Sequence, residues 1–72
     1  MQMAYQTISH RELLANTTRL TDLSAKVFKD KDTEIQRVPL LQLHLEAQKR
    51  NNMLRDAIST QEEIITLYKR AT

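Results

Sequence analysis

Residues 28–39, FKDKDTEIQRVP, interrupt a chain whose flanks both read as helix. On each side, apolar residues recur at every seventh position, the mark of a helix that buries one stripe. Before the break Leu13, Leu20 and Val27 hold one row, with Asn16 and Leu23 in the row beside it. After it the matching rows are Leu40, Ala47, Leu54, Gln61 and Tyr68, and then Leu43, Arg50, Ala57 and Ile64. Two stripes of one period around a short polar break predict an antiparallel αα-hairpin, not a linker between domains. The expected fold class is all-α, a coiled-coil-like two-helix hairpin in which residues 1–72 form a single domain. Helix one runs over about 4–28, and helix two over about 34–70 with an irregularity at Pro39.

Folding the chain so that Val27 meets Leu40 sets Leu20 against Ala47, Leu13 against Leu54 and Leu23 against Leu43. Asn16 then faces Arg50, so the polar interruptions of the seam share one layer. Such a layer fixes register, or Arg50 lifts its charge into water along the seam's edge. At the start of helix one, Ser9 and Glu12 fit a capping box, with Ile8 and Leu13 as its hydrophobic staple. A start nearer Met3 stays open. Thr33 and Gln36 fit a second capping box, so Pro39 falls either inside a helix begun at Thr33 or at the first position of one begun later. The favoured reading is a polar turn at Asp30–Asp32, an irregular helical turn through Arg37, and regular helix from Pro39 to about Arg70. Lys69 and Arg70 suit the negative end of that helix.

Composition removes several functions. Without cysteine there is no disulfide, thiolate site or thiol nucleophile. Without glycine there is no phosphate-cradling loop and no tight turn built on that residue. Eleven Lys and Arg against nine Asp and Glu leave a formal charge of +2, interleaved along the chain. That balance argues against nucleic acid, as does the scarcity of stacking aromatics, which number Tyr5, Phe28 and Tyr68. The basic groups Lys49, Arg50 and Arg55, and Lys69 and Arg70, fit a nucleic-acid regulator only as part of a dimeric bundle. No apolar run approaches the roughly 20 residues of a membrane span, and the first ten residues lack the form of a secretory signal. A cytoplasmic chain with no membrane partner is expected. His10 and His44 lie far apart in the expected register, and neither has a second ligand at helical spacing. No metal site, cofactor or catalytic constellation is expected, so the chain is read as a non-enzyme.

The two flanks of the hairpin differ. One carries Glu12, Arg19 and Lys26 with Glu46, an ordinary solvated face on which Arg19 and Glu46 are placed to pair. The other carries Thr17 and Ser24, backed by Leu14, Thr21 and Phe28, against Leu41, His44, Asn51, Ile58 and Ile65. Leu45 extends it near the turn. This side reads as a partner-binding groove formed by Leu14, Thr21, Phe28, Leu41, Leu45, Ile58 and Ile65, since contiguous exposed apolar surface marks interaction sites. Its occupant is a helix of another protein, or a second copy closing a homodimeric four-helix bundle.

One helix at RELLANTTRLTDLSAKVF, a polar turn at KDKDTE and a longer helix closing in EEIITLY resemble the small E-type cochaperones of type III secretion. The resemblance covers most of the chain and rests on layout. It implies a cytoplasmic cochaperone bound to a larger helical, tetratricopeptide-like chaperone, the pair holding a secreted needle subunit unpolymerised. The needle or rod subunit is itself a neighbouring possibility, being another small helical hairpin.

Overall fold

The computed structural model describes residues 9–71, and among them every regular element is helical. Helix α1 spans His10–Val27, a 3₁₀ turn spans Glu34–Arg37, α2 spans Val38–Arg50 and α3 spans Leu54–Ala71. Where one long second helix was expected there are two.

The start of α1 is the capping box. The Glu12 N–H donates to Ser9 Oγ at 3.2 Å, and the Glu12 carboxylate takes the Ser9 N–H at 3.4 Å. The expected extension back to residue 4, with Ile8 of the staple, lies outside the described residues. At the other end Phe28 leaves helical geometry while its N–H still reaches the Ser24 carbonyl at 2.8 Å. The chain then turns on the Asp30 carbonyl, which accepts from the N–H groups of Thr33 and Glu34 at 3.0 and 2.9 Å. The Thr33 hydroxyl donates to the same carbonyl at 3.2 Å, so it does not form the expected box with Gln36. An irregular turn through Arg37 followed by regular helix is what the sequence suggested. Pro39 sits within the first two positions of α2, where its missing N–H costs nothing. Val38 is helical (φ −57°, ψ −48°) against the usual bias of a residue before proline, held by its N–H bond to Ile35 O.

The second break decides the architecture. Asn52 has φ 58°, the left-handed region. Its N–H reaches Lys49 O at 3.1 Å, and the Met53 N–H reaches Gln48 O at 2.9 Å. These are the two bonds of a Schellman ending, which satisfies the last carbonyls of α2 and reverses the chain. Asparagine is the residue after glycine that tolerates this geometry, and the glycine-free chain uses it here.

The reversal lays α3 back along α2. Leu41, only 2% exposed, packs with Val38, Ile64 and Leu67 in a small core, against which Ile35 and Leu45 rest. Ala47 and Ala57 are buried nearer the turn. Two ion pairs close the far end: Arg37 to Glu63 at 2.7 Å, and Arg70 to Glu34 at 3.3 Å. Helix α1 packs on a different strip of α2 and meets α3 only through α2 and the 3₁₀ turn.

That strip is not the expected seam. The buried residues of α1 are Thr17, Thr21 and Ser24, whose hydroxyls donate to Leu14, Thr18 and Thr21 carbonyls at 3.1, 2.9 and 2.8 Å. With their polarity satisfied inside α1, these small side chains let the two helix backbones approach closely. Leu20, Leu23, Val27, Leu43 and Leu54 are exposed, Leu13 and Leu40 half-buried, and of the seam residues paired across the expected hairpin only Ala47 is buried. Asn16 and Arg50 do not face one another as a buried layer: both are exposed, and Arg50 pairs with Glu46 at 3.4 Å. The register differs as well. His44 meets Thr17, and Asn51 donates to the His10 carbonyl at 2.8 Å, where the expected register set residue 23 beside residue 44. The cause is the turn at Asn52. Once α3 occupies the Leu41–Gln48 side of α2, α1 is left the neighbouring side, and both helices rotate away from their leucine rows.

Candidate functional site

Two features stand out, one inside the fold and one on its surface. Inside, His44 of α2 bridges to α1 and to a glutamine that reaches α3. Its Nδ1 lies 2.9 Å from Thr17 Oγ1 on α1, and its Nε2 lies 3.1 Å from the Gln48 amide nitrogen one turn along α2. The Thr60 hydroxyl of α3 donates to Gln48 Oε1 at 2.6 Å. The Gln48 N–H donates to Nε2, which places the ring proton on Nδ1, donating to Thr17 Oγ1. A line of hydrogen bonds thus runs Thr17–His44–Gln48–Thr60 across α1, α2 and α3. Burial pushes the His44 pKa below its ordinary value, and the carboxylates of Asp22, Asp56 and Glu63 oppose that shift without reversing it. This arrangement is structural: the imidazole is neutral, engaged at both nitrogens, and joins helices. Among the described residues no three His, Asp or Glu side chains gather where they would hold a metal ion.

On the surface, a groove of about 490 Å³ runs between α2 and α3. Leu45 and Lys49 of α2 form one wall, and Leu54, Ala57, Ile58 and Gln61 of α3 form the other. Helical spacing continues the α3 wall through Ile65 and Tyr68, both exposed. Leu54 and Ile58 keep 62% and 60% of their surface in contact with solvent. The row 54, 58, 61, 65, 68 lies about one residue's rotation from the buried row 57, 60, 64, 67. Helix α3 therefore carries two apolar rows, one on the core and one facing outward. Lys49 is the charged residue of the lining, and helical spacing sets Arg55, Glu62 and Lys69 in one row along the outer edge of the α3 wall.

The residues first read as one partner-binding groove are divided by the fold. Leu45, Ile58 and Ile65 lie in or beside the α2–α3 groove. Leu41 is in the core and Thr21 in the α1–α2 contact, both covered by the chain itself. Leu14 and Phe28 are half-buried on the α1 side. The expected Arg19–Glu46 pair is replaced by Glu46 bonding to Lys49 at 3.7 Å and Arg50 at 3.4 Å within α2. Two members of the basic group at 49–55 are thereby partly neutralised.

Sequence reasoning placed Leu54, Gln61 and Tyr68 in the seam and so missed them as groove residues. The signal that would have moved them is Asn51–Asn52, the best left-handed cap available in a chain without glycine. Compared with known proteins, the chain matches no family model, no curated protein and no solved structure. Among the described residues, no helix is long and apolar enough to cross a membrane.

Proposed function

We propose that this chain works by binding, as a non-enzymatic adaptor that holds an amphipathic helix of another protein in the α2–α3 groove. The observation that carries the reading is the outward row of α3: Leu54, Ile58, Ile65 and Tyr68 are exposed together on one helix face beside Leu45. Contiguous apolar surface with a polar rim is the usual form of an interaction site, and a helix laid in a groove is the geometry it accepts. The charged rim favours a partner other than a second copy. Pairing α3 with itself antiparallel, so that Ile58 meets Ile65, sets Glu62 beside Glu62 of the second copy. Like charges in register disfavour that pairing. A helix with an apolar face and acidic edges meets no such obstacle.

The resemblance in layout to the E-type cochaperones of type III secretion supplies the partner class for this reading. The occupant is then a helix of the larger chaperone or of the secreted subunit, in a bacterial cytoplasmic complex. Burial of the row at roughly 25 cal/mol per Å² drives association, less the cost of ordering both partners. Co-expression with the proteins encoded beside it tests the proposal. Ile58→Asp removes co-purification of the partner while far-UV circular dichroism stays as in the wild type. Undiminished co-purification of that variant contradicts the groove assignment.

A further inference from the structure

A second apolar face lies away from this groove, and the charges along it are arranged differently. On α1 the exposed Leu20, Leu23 and Val27 (68% exposed), with the half-buried Leu13, form a row beside the buried Thr17–Thr21–Ser24 strip. On α2 the exposed Leu43 lies on the far side of His44 from Gln48, and so on the side away from α3. Because α1 and α2 run antiparallel and both are rotated off their leucine rows in the same sense, these residues share one side of the pair. The face is the expected seam, turned outward.

We propose that this face takes a second copy of the chain, α1 packing antiparallel on α1 of the second copy about a two-fold axis near Thr18, with Leu43 as a side wall. The row bordering the leucines reads Glu12, Arg19, Lys26. In the antiparallel register that sets Leu13 against Leu23 of the second copy, Glu12 lies beside Lys26 of the second copy, and two-fold symmetry makes that contact twice. Only Arg19 nears its own image. The order of charges thus favours self-pairing of this face in that register. A helix of 18 residues is about 27 Å long, so α1 with the adjoining edge of α2 offers a footprint of roughly 500 Å². That lies at the lower end of what specific association requires, and the dimer is expected to be concentration-dependent.

Sedimentation of the full chain across a wide concentration range tests this. The wild type moves from monomer to dimer mass as concentration rises. Leu23→Glu stays monomeric with unchanged helicity. Lys26→Glu, an exposed change that spares the leucine row, weakens the dimer by roughly tenfold. Ile58→Asp dimerises as the wild type does, so loss of the partner groove and loss of self-association are read separately. A wild type that is monomeric throughout overturns the proposal. Dimerisation of Leu23→Glu at wild-type strength, or its loss in Ile58→Asp, overturns it too.

Discussion

The two sides of α2 are held by different physics. Toward α3 the contact is apolar, with Val38 and Leu41 against Ile64 and Leu67, closed at one end by the Arg37–Glu63 and Glu34–Arg70 pairs. Toward α1 it is a strip of Thr17, Thr21 and Ser24, linked by the Thr17–His44 and Asn51–His10 hydrogen bonds. Fully burying a Val, Leu or Ile side chain is worth about 1.5–3 kcal/mol, whereas a hydrogen bond exchanged with water nets only about 1 kcal/mol. The α2–α3 pair is therefore the stable unit, and α1 is the helix that opens first.

The largest effect belongs to the core. Leu41→Ala should cost about 2–5 kcal/mol in urea unfolding, and Ser24→Ala on the α1 strip less than about 1 kcal/mol. Equal losses would erase the contrast between the two sides. Next comes the reversal itself. Asn52→Ala should destabilise by about 1–2 kcal/mol and Asn52→Gly should stabilise, because only the backbone at a left-handed position distinguishes them. If alanine is tolerated, the turn does not hold the chain in this fold.

Smaller still is the acid response of the network between helices. His44 is held neutral in the fold and its pKa lies below the ordinary value of 6.5, so the unfolded chain binds its proton first as pH falls. Its contribution to stability is complete above 6.5 and is lost as pH drops through that value and on through the lower, folded one. His44→Gln should remove that part of the acid loss, and amide exchange should locate the loss mainly in α1. An acid response unchanged by the substitution would deny His44 this part. A small effect is also expected at the end of the α2–α3 contact: Arg37→Ala should cost no more than about 1 kcal/mol, since Glu63 is half exposed and keeps its water.

How much of this was written in the sequence depends on which turn is considered. Ser9 and Glu12 announced the start of α1, the polar run before Pro39 announced the first reversal, and the heptad rows announced helices throughout. What the rows did not carry was which face each helix turns inward. A leucine row predicts burial only if something is free to cover it, and the second reversal gave α2 a different neighbour. That reversal rests on two asparagines at positions 51 and 52, a weaker punctuation than glycine. Missing it made one long helix of two, set Leu20, Leu23 and Val27 inside, and merged two surfaces into one groove. Ile58 and Ile65 are exposed, as expected, because their row faces outward in either arrangement.

The central claim is that the chain reverses at Asn52 and brings α3 back to the 3₁₀ turn. Since the chain has no cysteine, Gln36→Cys with Thr66→Cys gives two unique sites for spin labels on exposed positions. An unbroken second helix would hold them about 45 Å apart, at 1.5 Å per residue. With Arg70 on Glu34 and Glu63 on Arg37, the account predicts a single distance well below that. A distribution centred near 45 Å would contradict it.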